Sequence, residues 1–380
     1  MRQNPSLADP RNASRRLARR IVGTTSILLA TVGVPATAPA SPPAAGAAKS
    51  LTILSDTRLP ASLLWASDLR WASDHSVYLG AERDGLLEVS LDPAGGVATK
   101  EMIPGAAKAG GFWGCHRIAS SSLYLVAAGP GLSLTWRSLL NPARTESAFE
   151  LIAGLDVREN LLAIVGARRD EKGQLGADGA IAWTGSLDKG LRDLTPVAYD
   201  VLGPGTPSMN RCSNARLGAV RFLTDGSLLV VPGVQPGIQL YDPKGKLVHV
   251  WDSGKLGIDS PCGSLSDEQA RHLAADAGKR SAWANRYRSV DAVLPLPQGA
   301  GIVIRWVEKG HTLWSLQVLH PDGTVGTWSI PIEGDSEFYN LQGDVRAGKV
   351  VFLLHEFVFR GGPRDHPLPP RLIVTRPPLG

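Results

Sequence analysis

Carboxylate and guanidinium side chains spaced two residues apart recur along the 380-residue chain, as Asp68-Leu69-Arg70, Asp156-Val157-Arg158 and Asp344-Val345-Arg346. Two further copies, Cys115-His116-Arg117 and Ala219-Val220-Arg221, keep the arginine and change the first residue. A sixth, Asp291-Ala292-Val293, keeps the acid and loses the base. On an extended strand a spacing of two puts both side chains on one face. Copies gathered around one axis could do one of two things. Arg70, Arg117, Arg158, Arg221 and Arg346 outnumber Asp68, Asp156, Asp291 and Asp344, so an open ring of them would favour an anionic or carboxylate-bearing ligand held by bidentate contacts. His116 would then be a candidate base, or else a satisfied structural histidine. The architectural alternative is that the arginine of one repeat pairs with the acid or carbonyl of the next.

The elements that must position these residues are short strands. Period-two apolar runs closed by Gly, Pro and Asp follow each copy, as in Ser76-Val-Tyr-Leu-Gly80 and Gly85-Leu-Leu-Glu-Val-Ser-Leu-Asp92 after the first. The fourth unit is the most complete. It reads Val220-Arg-Phe-Leu, the turn Thr224-Asp-Gly, Ser227-Leu-Leu-Val-Val231, Gly237-Ile-Gln-Leu-Tyr-Asp242, the turn Pro243-Lys-Gly, and Leu247-Val-His-Val-Trp-Asp252. Such a unit makes one four-stranded antiparallel sheet. Six self-similar units predict an all-β, six-bladed β-propeller over residues 51–380 rather than a sandwich. The last unit is one strand short, and Leu51-Thr-Ile-Leu-Ser55 at the other end could supply it and close the ring. Trp71, Trp136, Trp183, Trp251, Trp306 and Trp328 recur at equivalent places and read as packing between sheets. On this blade pattern the chain resembles the six-bladed propellers of the NHL-repeat and TolB-type groups, with no motif specific to one family. The resemblance implies the fold and carries no activity with it.

One segment departs from the pattern. Ser266, with Gln269 three residues on, acids in the first turn and a closing Gly278, predicts a helical insertion at about residues 264–284 between blades four and five.

Six arginines against one acid in residues 1–40, an apolar stretch from Ile21 to Val34 and then Ala38-Pro39-Ala40 read as a signal peptide. The apolar stretch is shorter than the roughly 20 residues a membrane span needs. The expectation is a periplasmic or secreted protein, with Ser14-Arg15-Arg16 leaving the twin-arginine route open beside the general one. Residues 41–50 read as a flexible leader. Whole-chain charge is 40 bases against 35 acids, and without the first forty residues it is 34 against 34. A balanced chain gives no support for nucleic-acid binding. Of the three cysteines, Cys212 and Cys262 flank the fourth blade and suit a disulfide in an oxidising compartment, or are two separate thiols. Cys115 reads as a small buried hydrophobe, because its neighbour His116 would point to the opposite face.

No nucleophile elbow, phosphate loop or metal-binding helix pattern occurs, and His311, His320, His355 and His366 lack metal-ligand spacing. The expected function is an exported, monomeric propeller that binds a partner protein or a small anionic ligand at its channel mouth. The competing reading is a lactonase-like hydrolase or lyase using the same face. No cofactor is expected under the first reading, and calcium enters only under the second, where an arginine-rich ring would disfavour it.

Overall fold

Alternating apolar runs closed by Asp-Gly and Lys-Gly turns fold as antiparallel hairpins, and the turn residues do the work expected of them. Asp242 Oδ1 accepts the backbone N–H groups of Lys244 and Lys246, both at 2.9 Å, while Gly245 takes the left-handed φ of 81° that closes the turn. A computed structural model of the chain describes residues 49–64, 66–81, 85–92, 96–102, 117–128, 134–138, 143–149, 151–168, 179–199, 218–232, 237–258, 285–334, 338–358 and 366–378, with seven separate positions between 266 and 283. All of them belong to one unit, Pro42–Gly380.

After β1 (Lys49–Ser50) and β2 (Ile53–Arg58) come six sheets. Blade one is β3 (Ala66–Ser73), β4 (Ser76–Ala81), β5 (Gly85–Leu91) and β6 (Val97–Met102). Blade two is β7 (Arg117–Ser120), β8 (Tyr124–Ala128), β9 (Leu134–Ser138) and β10 (Arg144–Glu146). Blade three is β11 (Leu151–Arg158), β12 (Leu161–Ala167), β13 (Ala180–Ser186) and β14 (Thr195–Tyr199). Blade four is β15 (Gly218–Phe222), β16 (Leu228–Pro232), β17 (Ile238–Tyr241) and β18 (Leu247–Trp251). Blade five is β19 (Ser289–Leu296), β20 (Gly299–Glu308), β21 (His311–Leu319) and β22 (Val325–Gly334). Blade six is β23 (Phe338–Arg346), β24 (Lys349–Val358), the two-residue β25 (His366–Pro367) and β26 (Arg371–Thr375).

Blade six is completed by β2, which pairs antiparallel with β26 from Ile53 opposite Thr375 to Arg58 opposite Arg371. The strand expected to close the ring is therefore present, two residues further along than its sequence pattern suggested. Leu51 instead donates its N–H to Ser329 O at 3.0 Å and lies buried in the cluster shared by blades five and six. The sequence held no sign of β1, which adds a parallel fifth strand to blade five at Trp328 and Ser329.

The core lies between blades. One apolar cluster joins Leu69 and Leu79 of blade one to Leu353 and Leu372 of blade six, another joins Trp136 of blade two to Trp183 and Leu155 of blade three, and a third joins Trp251 of blade four to Ile302 of blade five. Tryptophan serves as the inter-blade filler foreseen, except that Trp306 is half-buried under the Arg288 guanidinium and Trp314 is the fully buried ring of blade five.

Antiparallel topology sorts the connections onto two faces. Turns between first and second strands, such as 159–160 and 347–348, lie on one, the hairpin face. The strand ends that lead from one blade to the next, such as those of β6 and β7, β14 and β15, and β18 and β19, lie on the other, the connection face. The helical insertion expected at about residues 264–284 falls in the passage from β18 to β19, where only seven separate residues of it are described, too few to show it. Its capping pair is present, with Ser266 N–H donating to Gln269 Oε1 at 2.9 Å and Gln269 N–H to Ser266 Oγ at 3.2 Å. Glu268, Gln269, His272, Lys279, Ala282 and Trp283 have helical backbone. The rest of that segment, residues 1–40, His116 and the three cysteines with their proposed bridge lie outside the described residues.

Candidate functional site

Each blade's first strand lines the axis, so the Asp-x-Arg copies converge there, as their spacing requires. The three aspartates of complete copies do one job. Asp68 Oδ2 accepts the N–H of Ile118 in blade two at 2.9 Å, Asp156 Oδ2 that of Phe222 in blade four at 2.7 Å, and Asp344 Oδ2 that of Trp71 in blade one at 2.9 Å. In each case the donor is the residue after the arginine of the neighbouring copy. An inner-strand N–H that would face the channel unpaired is thereby satisfied by the blade before it.

The arginines divide. Arg221 of blade four spans the channel, pairing Nη1 with Asp156 Oδ1 at 3.2 Å and Nη2 with Asp344 Oδ1. Arg70 donates to Asp68 Oδ1 at 3.2 Å, to its neighbour Leu69 O at 2.7 Å and across to Leu155 O of blade three at 3.2 Å. These five residues are buried, none more than 8 % exposed, and they lie together along the axis as one layer. Arg117 is half-buried and donates to Ala153 O of blade three at 3.0 Å. Arg158 lies over the blade-four turn, where a Cβ on Gly226 would fall 1.8 Å from its Nη1. Arg346 reaches outward to Asp74 at 2.7 Å and is exposed. Five arginines were expected to share one ring; Arg70 and Arg221 pair with its acids, Arg117 reaches the first strand of blade three, and Arg158 and Arg346 turn to the hairpin face.

Position along the strand explains the division. Arg158 and Arg346 are the last residues before their hairpins, opposite Leu161 and Lys349, so their side chains spill over the hairpin face. Arg70 and Arg221 stand further in, opposite Tyr78 and Leu229, and have only the axis to enter. Blade four has Ala219 where others have Asp, at a point of close backbone approach: a Cβ on Gly154 of blade three would lie 2.9 Å from Ala219 Cα.

The layer holds three carboxylates and two guanidiniums. Burial pushes Asp156 above the usual carboxylate range against the pull of Arg221 and Arg70, the direction that relieves the excess negative charge. Burial also works against the charge on Arg221, but Asp156, Asp344 and Asp68 outweigh it and raise its pKa. Arg70 is lowered, by burial and then by Arg221.

Asp291 likewise accepts an inner-strand N–H of the next blade, with Arg305 rather than Arg70 or Arg221 as the guanidinium beside it. Its Oδ2 accepts Trp314 Nε1–H at 2.9 Å and Leu341 N–H at 3.2 Å, and Arg305 lies 3.8 Å from its Oδ1. Arg305 in turn donates to Asn285 at 3.0 Å, and burial lowers its pKa to about 10. Sequence reasoning missed Arg305, although a lone arginine inside the apolar run Gly301-Ile-Val-Ile is a legible signal for a buried partner. Away from the axis, an open polar groove of about 450 Å³ is lined by Glu146, Ser147, Ala148, Lys189 and Arg192. Glu146 is already committed there to the N–H of Leu191 at 2.9 Å. Among the described residues no group of three or more His, Cys, Asp or Glu side chains could hold a metal ion, and no helix is long and apolar enough to cross a membrane.

No family model and no curated protein sequence matches the chain. Among solved structures it is similar to a streptogramin B lyase (11% identity over 86% of this chain and 87% of that one, TM-score 0.41). It is also similar to the virginiamycin B lyase of Staphylococcus aureus (7%, 84% and 98%, 0.40) and to the WD40 β-propeller domain of Doa1 (11%, 86% and 97%, 0.41). Likeness at that level carries nothing about chemistry. Six radial antiparallel sheets, the last closed by the chain's first long strand, make this an all-β, six-bladed β-propeller.

Proposed function

We propose that the chain is an exported propeller that works as a binding module for a partner protein, engaged at the mouth of its channel on the connection face. The observation that carries this reading is the committed state of the channel charges. Asp68, Asp156 and Asp344, the carboxylates best placed for acid–base work or for a cation, spend their oxygens on inter-blade N–H groups and on guanidiniums. Arg70 and Arg221, the donors best placed for a small anion, are spent on those carboxylates and on backbone carbonyls. Every carboxylate of the layer and the Nη groups of both arginines are engaged from within, and only Arg70 Nε and Arg221 Nε are buried there without a hydrogen-bond partner. So few open groups leave little for a small ligand to take, and recognition falls to the passages between blades, where loops commonly carry binding residues. Export is supported by the arginine-rich, apolar and Ala-Pro-Ala order of the first forty residues.

Thermal denaturation of the mature protein tests this. Millimolar calcium, succinate or citrate should leave the melting temperature unchanged. A rise with calcium accompanied by bound metal would favour the hydrolase or lyase reading, and a rise with the dicarboxylates would favour the small anionic ligand.

A further inference from the structure

A sheet edge left open is a template for another strand, and folded proteins protect such edges. In this propeller two outer edges are covered by the chain itself: β1 lies along β22 of blade five and β2 along β26 of blade six. The outer strand of blade three carries Pro196, which has no N–H to offer a newcomer. Blade two ends in the three-residue Arg144-Thr145-Glu146, and the outer strand of blade one has Lys100 and Glu101 in its sequence. Among the described residues blade four has none of these devices. Its outer strand β18 pairs on one side with β17, and no strand adds to its other side among the described residues.

The side chains on that strand are apolar and in water: Leu247 is 46%, Val248 52% and Val250 50% exposed. Trp251, of opposite parity to Val250, packs inward with residues of blade five, so the two valines face away from that packing. Exposed lysines frame the strand, Lys244 and Lys246 before it and Lys255 after it. Asp242 and Asp252, held by the N–H groups of Lys244, Lys246 and Gly254, stand against them, which leaves three bases to two acids around the strand.

We propose that the outer edge of blade four is a docking site for an extended segment of a partner protein, with alternate apolar residues and acidic side chains, which adds to β18 as a fifth strand. Main-chain bonds to the open edge would give affinity, Val248 and Val250 would receive the apolar side chains, and the three lysines would select acidic ones. The site goes beyond the channel-mouth reading and stands without it: the β18 edge, Val248, Val250, Lys244 and Lys246 belong to blade four alone, and only Lys255 lies in the passage from β18 to β19.

The test is fluorescence anisotropy of the mature protein with a labelled peptide of alternating valine and glutamate. It should bind, and binding should weaken as salt rises. The double variants Lys244→Glu with Lys246→Glu, and Val248→Thr with Val250→Thr, should each weaken it about tenfold at an unchanged melting temperature. An alternating valine and lysine peptide, or one interrupted by proline, should bind at least about tenfold more weakly. No binding of the glutamate peptide, or equal binding of the lysine peptide, would overturn the proposal. A concentration-dependent dimer in sedimentation that the valine variant abolishes would assign the edge to a second copy of the chain instead.

Discussion

Two copies of the same tripeptide pattern, Asp68-Leu69-Arg70 and Asp344-Val345-Arg346, sit in adjacent blades and put their arginines to opposite uses. Their aspartates behave alike, each accepting an inner-strand N–H from the next blade. Arg70 turns into the channel and is buried, whereas Arg346 turns out to Asp74 on the hairpin face. Where the acid is present its role is therefore constant, accepting an inner-strand N–H of the next blade, although Cys115 and Ala219 replace it in two copies. The base is variable, its role set by how many residues separate it from the hairpin.

The largest effect should come from removing the arginine that spans the channel. Arg221→Met leaves Asp156 and Asp344 buried without their shared partner and should cost about 3–5 kcal/mol in urea unfolding. A loss below about 1 kcal/mol would mean that the layer is wet and open, which would also weaken the proposed function.

The second prediction contrasts the two regions by the sign of their pH dependence. Asp156 has its folded pKa raised by burial, so the contribution linked to it is present at low pH and is lost as pH rises through that raised value. Asp74 is held low by the hydrogen bond from Arg346, so its contribution is present above the ordinary carboxylate pKa and is lost as pH falls through the depressed one. Asp156→Asn should flatten the decline in stability on the alkaline side of the carboxylate range and leave the acid limb unchanged. An unaltered alkaline limb would show that Asp156 stays ionised.

The smallest effect belongs to the rim. Arg346→Ala should change stability by no more than about 0.5 kcal/mol, since an exposed pair is worth little. A cost approaching that of Arg221→Met would erase the distinction between the two arginines.

The blade count, the closing strand and the inter-blade tryptophans were legible because period-two patterning and Asp-Gly turns are local signals. The inward or outward fate of each arginine was not, because it depends on the hairpin register. That register was partly readable: Arg158 and Arg346 abut the turns Glu159-Asn160 and Ala347-Gly348, while Arg70 is followed by three more strand residues. Asp291 was grouped with the ring on its sequence phase, but blade five lacks the arginine of the repeat and brings Arg305 and Trp314 from its second and third strands to that acid instead. The strand β1 was invisible because Lys49-Ser50 has no strand character of its own and is recruited by the edge it covers.

The closing strand also fixes an order of events. Arg371 contacts Asp56 across 315 residues of chain, and no pairing in blade six can involve β2 until β26 exists. The ring thus completes only after β26 has been made. Until then the first long strand lacks its β26 partner and the ring is one strand short of closure. Closure in this propeller is therefore a long-range event, set by the meeting of two strands that the chain makes far apart in time.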